Sequence, residues 1–223
     1  MFAGHVGAAL AIGRAERRVN VGAFVAAALL LDVVLWVLVL LGWESVTIPA
    51  TFAATHQPEF VFPYSHGLVS SVFWSALAGA AGFVGYSRLQ ASNGRAAVLL
   101  AAAVFSHWLL DALVHRPEMT LAGATSPRVG LGLWNNMPVA LIAEALIVVV
   151  GLCLFVRGSR LSRAKSIALA ALSLALLAFT VIGMTIAPAP PSALAMAGSS
   201  LVILAGVCAL VCWLGRRPGE DSP

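Results

Sequence analysis

A chain of 223 residues that is 61% hydrophobic and only 10% charged, with a mean hydropathy of +0.96, is not an ordinary water-soluble domain, in which about a quarter of the residues are charged. Its apolar residues come in runs long enough to cross a bilayer, which also excludes disordered and collagen-like classes. The net charge of +4 does not indicate nucleic acid as a partner, because the bases cluster in short stretches between apolar runs.

Residues 1–13 are apolar, but at about 1.5 Å per residue they reach only about 20 Å, short of a full span. Arg14, Arg17 and Arg18 follow this stretch instead of preceding it, which does not fit a cleaved signal peptide. A short helical or re-entrant segment packed against the bundle is expected here. Six runs suited to spanning then follow, at 19–41, 65–86, 96–114, 139–156, 167–186 and 193–214. The predicted fold is therefore all-α, a polytopic membrane helix bundle of about six transmembrane helices plus the N-terminal segment. Residues 1–157 carry every histidine and form the bundle with the site candidates. Residues 158–223 supply a transmembrane hairpin, read as scaffold, and a short tail.

If all six runs cross, Arg14, Arg17, Arg18, Arg88, Arg95, Arg157, Arg160, Arg163, Lys165, Arg216 and Arg217 share one side, and only Arg116 and Arg128 lie on the other. The positive-inside rule then places the N-terminal basic loop and the C-terminus in the cytoplasm, with loops 42–64 and 115–138 outside. Cys153, Cys208 and Cys212 lie within apolar runs without a C-x-x-C pair, so they read as packing residues.

Three carboxylates, Asp32, Asp111 and Glu144, fall inside apolar runs, and no Lys or Arg does. Each costs about 2.5 to 3.5 kcal/mol at mid-membrane on insertion scales, so such groups must be protonated, hydrated or bound to a cation. His107 and Asp111 are four residues apart and share a helix face, and His115 extends that stripe by another turn. His66 opens the second span and His5 lies in the N-terminal segment. Counted along the helices, Asp32, His107, Asp111 and Glu144 rise about 18 to 24 Å from the basic side and His5 about 14 Å, so four segments bring ionisable groups to one layer. Imidazole and carboxylate are ligands for zinc or another divalent transition metal, one ion or more. The candidate ligands are His5, Asp32, His66, His107, Asp111, His115 and Glu144.

Pro63-Tyr64-Ser65-His66-Gly67, Ser106-His107-Trp108-Leu109-Leu110-Asp111, Val114-His115-Arg116-Pro117-Glu118 and Gly130-Leu131-Gly132-Leu133-Trp134-Asn135 give the chain a further character. Over roughly residues 1–157 it resembles a bacterial family of membrane-bound metal-dependent hydrolases, most specifically in the H-x-x-x-D element. That family is itself distantly similar to zinc-dependent phospholipase C and single-strand-specific zinc nucleases. The resemblance implies an inner-membrane location, His5, His66, His107 and Asp111 as ligands, and Asp32 at the position of an early aspartate, with His115 and Glu144 as weaker matches. Two departures stand out. Leu31-Asp32-Val33-Val34 replaces a P-D-x-D turn, and Tyr64-Ser65-His66-Gly67 replaces an H-R-x-x-x-H-S element. In the soluble relatives the amino terminus is also a ligand, a role not expected of the start Met1-Phe2.

A metal held by these groups would lower the pKa of bound water to about 7 and supply hydroxide for hydrolysis. Asp111 or Asp32 would then be bridging ligand or general base. The outward Arg116 and Arg128 would hold a phosphate, suiting a lipid phosphoester that arrives from the outer leaflet. Two other readings stay open: a proton or metal-ion carrier using the same ligands transiently, and a non-catalytic protein with a structural metal. No G-x-S-x-G, P-loop or G-x-G-x-x-G element points to another enzyme class. Oligomeric state is not encoded in any of these features.

Overall fold

The computed structural model describes residues 1–87, 93–159 and 161–216; Arg88, Arg160 and Arg217 of the topology count lie outside these. The described residues are helical almost throughout, in the order α1 (Phe2–Gly13), α2 (Val21–Ala28), α3 (Leu30–Leu40), α4 (Phe52–Thr55), α5 (Leu68–Gly85), α6 (Asn93–Val114), α7 (Met137–Gly158), α8 (Arg163–Thr185) and α9 (Ala193–Leu214). The strands are short. β1 (Ser45–Thr47) pairs antiparallel with β2 (Glu59–Val61), and β3 (Met119–Thr120) with β4 (Arg128–Val129). Both ribbons sit in the loops on the side away from the basic cluster, where they stiffen the long connections between spans.

Five helices, α5 to α9, are long and apolar enough to cross a membrane, and α2 with α3 makes a sixth candidate bent by 47°. The run at 19–41 is thus a broken span. Its break falls at Leu29, and residues 23–40 around it contain neither proline nor glycine to announce it. The helix starts are set by local chemistry. Asn20, Asn136, Ser162 and Ser192 each turn a side-chain oxygen onto a free backbone N–H of the first turn of α2, α7, α8 and α9.

The N-terminal segment is a helix, and it lies at the centre of the bundle. α1 packs on α2, α6, α7 and α8, and Ala3, Gly4, His5, Val6, Gly7, Ala9, Leu10 and Gly13 are buried. Its approach to α7 is backbone on backbone: a Cβ on Gly7 would stand 2.7 Å from the Ile147 carbonyl oxygen, and one on Gly151 would overlap the Gly7 carbonyl. Small residues permit such close crossing where lipid offers no hydrophobic drive for association. Asn20 ties α2 to α9 through a 3.0 Å bond from its Nδ2 to the Cys212 carbonyl. Large apolar side chains such as Val69, Phe73, Ile142, Leu146 and Val202 face outward, as expected for a lipid-facing surface.

Candidate metal centre

α6 carries the framework of the site. His107, Asp111 and His115 follow one another at four-residue spacing on its buried face. The short α1 delivers His5 from the opposite side, its ring stacked on that of His107 with centroids 3.6 Å apart and planes 7° from parallel. Asp32 comes from the first turn of α3, just beyond the break, and His66 from the turn that leads into α5.

These groups converge on Asp111. Its Oδ2 lies 3.1 Å from His107 Nε2, 3.4 Å from His66 Nε2 and 3.8 Å from His115 Nε2. Its Oδ1 accepts a bond from the buried Met1 amino group at 3.2 Å and lies 3.1 Å from His5 Nε2. The two nitrogens His66 Nε2 and His107 Nε2 are 3.1 Å apart, and Asp32 Oδ1 stands 3.8 and 3.7 Å from them.

The far nitrogens show which atoms carry hydrogen. His107 Nδ1 is 2.6 Å from the Ala28 carbonyl at the helix break. A carbonyl can only accept, so Nδ1 donates, and in the neutral ring Nε2 then presents a lone pair. His66 Nδ1 is 2.8 Å from Ser65 Oγ, whose single hydrogen goes to Glu44 Oε2 at 2.7 Å. Glu44 also accepts the backbone N–H groups of Tyr64 (2.8 Å) and Ser65 (2.9 Å). Burial pushes the Glu44 carboxyl up from its ordinary range, and these hydrogen bonds pull it back toward the ionised form. Where Ser65 donates to Glu44, its oxygen is left to accept from His66 Nδ1, and the Nε2 of the neutral His66 ring is then a lone pair. His115 Nδ1 pairs with Glu118 Oε1, leaving its Nε2 directed at Asp111. Each of the three imidazoles is thus oriented by an outer acceptor in the manner of a metal-ligating histidine.

On the Oδ2 side of Asp111 the Nε2 atoms of His66 and His107 and an oxygen of Asp32 meet at short range. A proton on one Nε2 would satisfy one of these contacts, and a divalent metal would satisfy several together. The spacing suits this: tetrahedral zinc with ligands at about 2.0 to 2.1 Å places them about 3.3 Å apart, against the 3.1 to 3.8 Å found here. Two overlapping ligand groups fit an ion, His66, His107 and Asp111, and His5, Asp32 and His107, with the atoms of each within 4.8 Å of one another. His5 supplies a separate indication. Its Nε2 is close to Asp111 without hydrogen-bond alignment, and both its ring nitrogens are buried with no hydrogen-bond partner, a costly state that a ligand role would relieve.

The remaining predicted residues are dispersed. Glu144 is buried beside the cluster, where it accepts the Gly4 N–H at 3.0 Å and so holds the first turn of α1; it belongs to neither ligand group. Asp111, Asp32, His66, His115 and Glu144 all line a cavity of about 360 Å³. Arg116 is exposed in a neighbouring recess that shares His56, Trp134 and Met184 with this cavity, and Arg128 is exposed on β4. The sequence reading missed Glu44, Ser65, Glu118 and the Ala28 carbonyl, and it expected no role for the Met1 amino group, which bonds Asp111. Of the four missed groups, only Glu118, at i, i+3 from His115, offered a local signal. No protein-family model matches the chain, and neither a curated protein nor a solved structure is significantly similar to it.

Proposed function

We propose that this chain is a membrane-embedded, metal-dependent hydrolase acting on a lipid phosphoester, akin to the bacterial hydrolase family that its motifs resemble. A single observation carries the reading: ring nitrogens of His66 and His107 and carboxylate oxygens of Asp111 and Asp32 converge beside a cavity large enough for substrate. Zinc or a similar divalent ion is the cation that this donor set suits, held by His66, His107 and Asp111, with His5 and Asp32 completing a second group. When bound, it supplies Lewis acidity and lowers the pKa of a coordinated water.

The chain's own residues divide the remaining work. Both oxygens of Asp111 are enclosed by His and Met1 groups, which suits a ligand. Asp32 keeps 22% of its side chain exposed on the cavity side. It is the group able to take a proton from the attacking water. The distribution of basic residues supports an orientation with the site toward the outer face of a bacterial inner membrane. Arg116, across His56 and Trp134 from the cavity, is positioned to draw an anionic headgroup to its mouth.

The test is metal content of the detergent-purified protein by mass spectrometry, paired with turnover of a phosphoester panel. Near-stoichiometric zinc is expected in the wild type, with His107→Ala or Asp111→Asn losing metal and turnover together and His56→Ala keeping the metal. Metal-free wild-type protein that stays folded refutes the reading. So does bound metal without any product, together with Asp111-dependent ion flux in proteoliposomes, which identifies a carrier instead.

A further inference from the structure

The cavity does not end at the polar cluster. Its far wall is built by α8 and α9, the hairpin outside the stretch that resembles hydrolases. α8 rests on α7 and α1 while α9 rests on α2 and α3, and the two touch each other only sparingly along their length. A slot is left between them. Phe179, Gly183 and Met184 of α8 face it from one side, and Met196, Ile203 and Leu204 of α9 from the other. Of the three hydroxyls on these walls, two are spent on their own helices, Thr180 Oγ1 on the Leu176 carbonyl and Ser199 Oγ on those of Ala195 and Met196, and Ser200 is the third. The slot therefore presents a mainly apolar surface that leads directly into a polar one.

Depth matches a lipid. Asp111 lies three residues, about 5 Å, inside the end of α6. The α9 residues on the slot lie three to eleven residues, about 5 to 17 Å, inside the start of α9, from near that edge to about the middle of a core about 30 Å thick. A molecule with its ester at the cluster would carry its chain along this slot. At the loop end His56 Nδ1 bonds the Ala187 carbonyl at 3.0 Å beside the mouth of the cavity, and the slot offers a second opening from the side.

We propose that the α8–α9 slot is a binding site for one hydrocarbon chain of a lipid that enters laterally from the bilayer with its polar ester directed at the His/Asp cluster. The volume of about 360 Å³ sits near the lower end of the range for pockets that enclose a small ligand, about 300 to 1,000 Å³, and so accommodates one chain, not two. This rests on the hydrolase reading for what happens to the ester. The chain site itself needs neither metal nor turnover.

The experiment uses the full chain in nanodiscs doped with a monoacyl phospholipid bearing a diazirine near the chain end, with cross-links mapped by mass spectrometry. Wild type is expected to label at Leu35, Trp36 and Leu204, which line the cavity and are buried from surrounding lipid. A side chain at Gly183 would enter open space. Gly183→Phe is therefore expected to fill the slot and cut that interior labelling at least fivefold, leaving metal content and the labelling of outward Val202 unchanged. Ser200→Leu, from the facing helix, provides the same test should Gly183→Phe fold poorly. Labelling confined to Val202 and other outward residues, or interior labelling untouched by both variants, overturns the chain site. Interior labelling in a protein without metal or turnover retains the chain site and refutes only the hydrolase reading.

Discussion

Ser65→Ala is the sharpest test of how the centre is held. The hydroxyl is fully buried and joins Glu44 to His66 through bonds of 2.7 and 2.8 Å. Its removal leaves His66 Nδ1 without an acceptor and frees the ring to rotate or to place its hydrogen on Nε2, the atom directed at Asp111. The two backbone N–H bonds to Glu44 remain, so the turn before α5 keeps its shape. Loss of such an outer partner weakens metal binding by about 10- to 100-fold, equivalent to about 1.4 to 2.7 kcal/mol. The assay is zinc competition against a chromophoric chelator. Ser75→Ala is the matched control: its buried hydroxyl bonds the Ser71 carbonyl, at 2.6 Å, so it loses a comparable hydrogen bond that involves none of the candidate ligands. Equal zinc affinity in wild type and Ser65→Ala, or an equal loss in both serine variants, would refute the relay.

Other consequences follow from the packing and the loops. Gly7→Ala places a Cβ 2.7 Å from the Ile147 carbonyl and 2.8 Å from Val148 Cα; it should cost about 1 to 3 kcal/mol in reversible unfolding, whereas Gly206→Ala, with open space around it, should be neutral, and equal stabilities would show that α1 is not seated against α7. A reporter active only in the cytoplasm should give signal when fused after Gly215 and none after Arg128; the reverse would invert the membrane orientation. Arg116→Ala should retain metal but lower phosphoester turnover about tenfold, the size of a lost charge-assisted contact of about 1.5 kcal/mol, and unchanged turnover would exclude Arg116 from anion capture.

Much of the fold was legible because the bilayer imposes a length and a composition on each span. The described ends of α5 to α9 fall within about four residues of the apolar runs, and α1 was expected as a short packed segment. The 47° break at Leu29 was not legible. Residues 21–40 are uniformly apolar apart from Asp32, and a bend that depends on what packs against it leaves no mark in such a stretch. The ligand candidates were visible for the opposite reason: a carboxylate among apolar residues is costly wherever the chain puts it, so Asp32 and Asp111 announce themselves. Glu44 sits between Trp43 and Ser45 in a loop where an acid costs nothing, and only the folded structure carries it to Ser65. The α8–α9 hairpin was silent too, since an apolar wall facing a cavity and one facing lipid have the same composition.

The break and the centre belong to one device. A continuous helix through 21–40 would commit the Ala28 carbonyl to the helical ladder, whereas at the bend it accepts the Nδ1 hydrogen of His107 at 2.6 Å. The same bend sets Asp32, in the next turn, at 3.7 Å from the Nε2 of that ring. One backbone irregularity therefore fixes a ligand's tautomer from behind and supplies a second carboxylate in front. Non-helical backbone at membrane depth is tolerated only where protein or a polar cavity satisfies it, and here the partner that satisfies it is a histidine of the centre. Straightening the span would cost the site both contacts at once, so the bend and the ionisable cluster occupy the same place in the bundle.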